Sequence, residues 1–182
     1  HDRYRRQRQM CIRDRPTARF MTLIHEGVCR QLGITAGMRG HDGLDCAVVR
    51  IDRQRDILEF SGASIDLFSI TPDGAVSRHR GSRKTLGYSL DQGVDQIGST
   101  SIPMGDNAFL ITTDGLLTQV GEATRRVMGT RRFEAGLKEA GTNEPARLIR
   151  TAARVLKAWQ GREERRDDVA VVTFRPNDLR AK

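Results

Sequence analysis

The chain has 182 residues, 37% hydrophobic and 30% charged, which suits one domain with a substantial core and leaves little room for two. No window approaches the roughly 18 to 20 consecutive apolar residues of a membrane-spanning helix, and the arginine-bearing N-terminus has no apolar signal segment. Cys11, Cys29 and Cys46 are too few and too scattered for a disulfide scaffold, and no Cys/His spacing suggests zinc, so a reducing cytoplasm is the expected location.

The formal charge of +8 and pI near 10.2 would ordinarily point to nucleic acid or an anionic membrane. Half of that charge sits in residues 1–15, where six arginines stand against two aspartates, so residues 16–182 carry only 8 − 4 = +4. The string resembles translated sequencing-adapter read-through, with a disordered basic arm or a nucleic-acid arm as the other readings. We expect a non-native or disordered tail with few tertiary contacts. The remainder offers neither a basic helix nor interleaved aromatics, which argues against a nucleic-acid partner.

From residue 16 onward the elements follow in order. Phe20, Leu23, Ile24, Gly27, Val28 and Leu32 fall at helical spacing, which predicts an amphipathic helix over residues 17–32 with Gly33 as its stop. A strand over Leu44–Ile51 and further strands over Ile57–Gly62, Ile65–Ile70 and Ala75–His79 read as an antiparallel meander. A strand near Gln96–Ile102 and a buried one over Ala108–Thr113 follow. Helices are predicted over Glu122–Met128, Arg132–Ala140 and from Pro145 to the Gly161 stop, and an apolar strand over Val169–Phe174 closes the chain. Strands on both sides of a helical block indicate an α+β fold of antiparallel sheet covered by helices. The expected divisions are residues 1–15 as tail, 16–176 as the domain and 177–182 as a C-terminal tail.

Two acidic groups stand at the tips of apolar strands: Asp114, in Phe109-Leu-Ile-Thr-Thr-Asp-Gly115, and Asp167-Asp168 before Val169–Phe174. Singly, an Asp-Gly turn or a solvated strand cap explains each. Jointly, two strand-end carboxylates could hold one hard cation such as Mg2+ or Mn2+, and a pair of such ions can activate water and clamp a phosphoryl group.

The succession Gly105-Asp106, Phe109–Leu116, Gln119-Val-Gly-Glu122, Arg131-Arg-Phe133 and Arg166–Val172 resembles the C-terminal half of the SpoIIE-like branch of the PP2C metal-dependent serine/threonine phosphatases. Upstream, Asp42–Val49, Leu58–Ala63 and Leu86-Gly87-Tyr88 match in the same order, so the resemblance covers residues 17–175. It implies an α/β/β/α sandwich. It also implies catalytic metal ligands at Asp114 and Asp167, with Asp168 able to substitute for Asp167 or tune it. Gly115 and Asp45 could support the site, although Asp45 also reads as a solvated strand-start residue. In such enzymes a metal-activated water attacks phosphoserine or phosphothreonine, which agrees with the lack of a Ser/His/Asp or Cys/His constellation here. His25 reads as packed or half-exposed on its helix, and His41 and His79 as loop residues.

The departures are specific. The Gly-Asp-then-Asp motif that supplies the bridging carboxylate and the Asp followed by Gly-His-Gly are both absent from the sequence, and Thr118 stands where relatives carry Asp. The chain is therefore expected to be a C-terminal fragment, itself inactive. Its bacterial parent would be a Mn2+- or Mg2+-dependent signalling phosphatase acting on a regulatory protein such as a STAS-type anti-sigma antagonist. An N-terminal sensor or HAMP segment would control it and be its only link to a membrane, and it could form a homodimer. The alternative is a non-catalytic pseudophosphatase that binds such a partner without turnover.

Overall fold

The computed structural model describes residues 16–90 and 97–179; the basic tail, Gln96 and residues 180–182 lie outside the described residues. Helix α1 runs Pro16–Gln31, and Gly33, at φ +68°, ends it where its N–H reaches the Arg30 carbonyl at 3.2 Å. The buried stripe is not the one expected. Thr17, Ala18, Met21, His25 and Cys29 are buried, whereas Phe20, Leu23 and Leu32 are 57%, 53% and 48% exposed. Polar complementarity selects this stripe. The Ser61 hydroxyl donates to Thr17 Oγ1 at 3.0 Å, Thr17 Oγ1 lies 2.7 Å from Ser99 Oγ, and the Gly87 N–H donates to His25 Nδ1 at 3.1 Å. Apolar spacing carries no such information.

The chain divides into two compact units that interleave in sequence: one runs to Asp66 and includes Arg80–Met104, the other comprises Leu67–His79 and the chain from Gly105 onward. The first holds α1 and a three-stranded antiparallel sheet of β1 (Cys46–Asp52), β2 (Ile57–Ala63) and β5 (Thr100–Pro103), in the order β1-β2-β5. Its small core gathers Met21, Ala63, Leu86 and Ile97, with Ile24, Cys46 and Val48 against them. The Cys29 and Cys46 thiols are both free.

The second unit contains β3 (Leu67–Ile70), β4 (Val76–His79), β6 (Ala108–Thr112) and β7 (Val171–Phe174), antiparallel in the order β4-β3-β6-β7. The expected meander is therefore corrected: β2 pairs with β5 and β3 with β6, so the chain changes sheets between residues 63 and 67. Phe68, Ile70, Ala108 and Leu110 form one buried face of this sheet. Leu116, Phe133, Leu137, Leu148, Ala152 and Leu156 complete that core from helices α2 (Asp114–Thr118), α3 (Gly129–Lys138) and α4 (Pro145–Gln160). Phe68 and Phe133 meet edge to face with centroids 5.5 Å apart. Glu144 caps α4 by accepting the Ala146 and Arg147 N–H groups at 3.0 and 2.8 Å, with Pro145 at the first helical position.

The helix expected over Glu122–Met128 is not formed. Arg125 takes φ +53°, and a bridge between Val120 and Val127 folds the segment into a tight turn, with Arg125 N–H on the Gly121 carbonyl at 2.9 Å. The segment is too polar to bury a helical face. Residues 176–178 form a 3-10 turn whose Asn177 amide donates to the Gly105 carbonyl at 3.2 Å.

Candidate metal centre

Strands β6 and β7 pair antiparallel, with the last ladder partners Thr112 and Val171, so the end of β6 faces the start of β7. Asp114 follows β6 as the first residue of α2, and Asp167-Asp168 precede β7. All three carboxylates are exposed. The backbone segments that bear them are in contact: a β-carbon on Gly115 would stand 2.4 Å from the Asp168 carbonyl oxygen and 3.2 Å from the Asp167 β-carbon. Only a residue without a side chain lets α2 lie this close to the Asp167–Asp168 segment.

Two residues that the sequence patterns do not single out hold this segment. Thr113 Oγ1 donates to the Asp168 carbonyl at 3.1 Å and accepts the Ala170 N–H at 3.0 Å, while the Thr113 N–H donates to the Ala170 carbonyl at 3.1 Å. Gln119, 1% exposed, donates through Nε2 to the Glu164 and Val120 carbonyls, each at 3.0 Å. The Gln119 main-chain carbonyl accepts the Trp159 indole N–H at 3.0 Å. A strand-end Thr and a Gln after the Asp-Gly turn were the visible signals; their partners on the segment leading into β7 lie 45 or more residues away.

Within the segment, the Asp168 N–H donates to Asp167 Oδ1 at 2.8 Å, which orients the Asp167 carboxylate. The loop before it is pinned to the turn after α2 by the ion pair of Arg125 with Glu163 and by the Arg162 N–H on Glu122 Oε2 at 3.0 Å. Arg165 donates to Gln160 at 3.0 Å, and Arg166 is exposed beside Asp167.

Among the described residues no three His, Cys, Asp or Glu side chains gather into a ready-made cation cage. Mg2+ and Mn2+ do not require one. Such ions dehydrate reluctantly, keep several waters and take one or two carboxylates. Asp114 and Asp167 are exposed carboxylates on two abutting segments, with Asp168 adjacent.

Asp45 is exposed just before β1 in the first unit, where it adds to burial in pushing the Cys46 thiol up. His25 is buried, with Nε2 3.8 Å from the Cys29 sulfur. His41 is exposed in a loop, whereas His79 ends β4 rather than lying in one. Thr118 donates to the Asp114 carbonyl at 3.0 Å, an ordinary helical back-bond. A polar cavity of about 350 Å³ lies at the opposite end of the β6–β7 pair, where Asp106, Asn143, Asn177 and the Arg175–Asp178 ion pair line it.

Antiparallel sheets with helices, and acidic residues at paired strand ends, define an α+β domain of PP2C type. The family described as Stage II sporulation protein E (SpoIIE) matches residues 7–177, and the chain belongs to that family. Among solved structures, the SiaA-PP2C domain of Pseudomonas aeruginosa is similar at 30% identity and TM-score 0.61, over 72% of this chain and 51% of that one. The RsbU and RsbW domains of a Mycobacterium tuberculosis protein align at 19% identity and TM-score 0.54, over 71% of this chain and 35% of theirs. The phosphatase domain of the cell fate determinant SpoIIE from Bacillus subtilis aligns at 16% identity and TM-score 0.54, over 85% and 72%. The chain thus spans about half the length of the SiaA domain. None of the curated proteins compared with the chain matches it. No helix among the described residues is long and apolar enough to cross a membrane.

Proposed function

We propose that this chain carries one half of the catalytic centre of a metal-dependent protein serine/threonine phosphatase, with Asp114 and Asp167 as ligands of a divalent cation, Mn2+ or Mg2+, and Asp168 as a neighbour able to replace Asp167. The observation that carries this is the contact of Gly115 with Asp167–Asp168, which sets the two acidic segments side by side. Membership of the SpoIIE family supports the phosphatase class. A description of the Bacillus subtilis domain as Mn presoaked accords with manganese.

When bound, the ion would supply a polarised water and charge neutralisation at the phosphoryl oxygens. The chain's own residues prepare the place. Thr113 and Gln119 hold the Asp167 segment, Gly115 lets it approach, and exposed Arg165 and Arg166 put positive charge beside the carboxylates, which attracts a phosphorylated segment. The substrate in this reading is a phosphoserine on a small regulatory protein, of the STAS-type antagonist class.

The test is manganese binding and phosphate release by the full chain and its Asp114→Asn and Asp167→Asn variants. We expect weak manganese binding, lost in Asp114→Asn and weakened in Asp167→Asn, where Asp168 can stand in. Hydrolysis of p-nitrophenyl phosphate or a phosphoserine peptide should stay at background, because the sequence supplies no bridging aspartate motif and transition-state stabilisation by paired ions is worth several kcal/mol. Manganese binding indifferent to both substitutions would refute the ligand assignment. Robust manganese-dependent turnover abolished by Asp114→Ala would show that another residue of this chain completes the site.

A further inference from the structure

The regular β6–β7 ladder ends at Thr112 and Val171. Beyond it the two segments are joined by one main-chain bond, from the Thr113 N–H to the Ala170 carbonyl at 3.1 Å, and by the side chain of Thr113. That hydroxyl gives its proton to the Asp168 carbonyl at 3.1 Å and receives the Ala170 N–H at 3.0 Å, so it uses one donor and one acceptor at once. Of the uncharged side chains of this size only a hydroxyl offers both, and valine, its apolar isostere, offers neither. Thr112 adds a second hydroxyl, donating to the Ala170 carbonyl at 3.1 Å. Thr113 immediately precedes Asp114, and Asp168 immediately follows Asp167. The Thr113 side chain therefore spans the two segments one residue away from both Asp114 and Asp167.

We propose that Thr113 is a positioning residue whose hydroxyl fixes the spacing between the Asp114 and Asp167 carboxylates. The inference rests on the reading of those two as cation ligands. Thr113 is not itself a ligand in this scheme: its hydroxyl gives its proton to the Asp168 carbonyl and accepts the Ala170 N–H. The Gln119 side chain, holding the Glu164 carbonyl at 3.0 Å, steadies the same segment three residues before Asp167. If the Thr113 hydroxyl is lost, Ala170 keeps its main-chain bond to Thr113 and its Thr112 hydroxyl, but the Asp168 carbonyl loses its tie to β6 and the stretch from Asp167 to Val169 is freed to drift from α2.

The experiment measures manganese affinity of the full chain by the electron paramagnetic resonance signal of free Mn2+, at a temperature where circular dichroism shows every variant folded. Amide hydrogen exchange over residues 167–174 is measured in parallel. Thr113→Val should weaken manganese binding by about tenfold to a hundredfold, the range found when partners that orient ligands are removed. It should also speed exchange at Ala170, whose N–H the hydroxyl accepts, while Val172 and Phe174, whose amides face β6 in the ladder, stay protected. Thr113→Ser should restore both readouts, and Val155→Ala, which thins the packing of α4 on α3, should lower the melting temperature without changing manganese affinity. Binding by Thr113→Val as tight as that of the unsubstituted chain, with Asp114→Asn still abolishing it, overturns the role of Thr113 and leaves the ligand assignment standing. No manganese binding by the unsubstituted chain at millimolar concentration, or binding indifferent to Asp114→Asn, overturns the ligand assignment and the role of Thr113 with it.

Discussion

Gly115 lies against Asp168 so closely that a β-carbon would stand 2.4 Å from the Asp168 carbonyl oxygen, a distance no real side chain tolerates. The obstacle is backbone, which cannot rotate away. Gly115→Ala should therefore push α2 and the Asp167–Asp168 segment apart, destabilising the fold by about 1 to 3 kcal/mol as overpacking does. Urea unfolding with and without manganese checks this: the substituted chain should lose both stability and whatever stabilisation manganese confers. Unchanged urea midpoints would show that the segment yields freely and that its closeness to α2 constrains nothing.

Gln119 Oε1 is the one buried side-chain oxygen or nitrogen without a partner among the described residues, while its Nε2 serves two carbonyls. Gln119→Glu replaces that donor by a carboxylate facing two acceptors. The substitution should cost about 1 to 3 kcal/mol or more, the penalty for unsatisfied buried groups being larger when they are charged. Burial raises the new carboxyl above its unfolded value of about 4.3, so the loss is greatest above the raised value, shrinks as pH falls toward about 4.3 and levels off below it. Denaturant midpoints at neutral and mildly acidic pH give the comparison, and a loss that grows on acidification would contradict it.

On α1 the neighbouring residues Phe20 and Met21 should respond oppositely to truncation. Met21 is fully buried against Ala63, Leu86 and Ile97, so Met21→Ala should cost about 2 to 5 kcal/mol. Phe20 is 57% exposed, so Phe20→Ser should stay within about 0.5 kcal/mol. Equal losses in thermal or chemical unfolding would mean that the helix packs through the stripe its apolar spacing first suggested.

His79 ends β4 with Nε2 2.9 Å from the Ser69 hydroxyl, and burial pushes its imidazole below the usual range. The unfolded chain then takes up a proton near pH 6.5 that the folded chain refuses, so this group's contribution is present above that pH and lost as pH falls through it. His79→Gln should flatten the melting temperature between pH 7.5 and 5.5 relative to the unsubstituted chain. A steeper slope in the variant would reverse the assignment.

Much of this protein was legible in one dimension. The helix ending at Gly33, the helix from Pro145 to Gly161 and the buried strand ending at Thr112 follow from period, Pro and Gly alone, because capping and hydrophobic spacing are local properties. The acidic groups at the ends of two apolar strands, and their match to the SpoIIE pattern, were legible for the same reason. Three things depended on distant partners. The buried face of α1 was set by Ser61, Ser99 and Gly87, the strand pairing by a change of sheet after Ala63, and the contact between the acidic segments by Gly115, Thr113 and Gln119. Residues 44 to 82 positions apart in the chain make these contacts. A hydroxyl or amide reads the same in sequence whether it faces water or a carbonyl brought to it by the fold, so only the tertiary structure could say which residues hold the carboxylates in place.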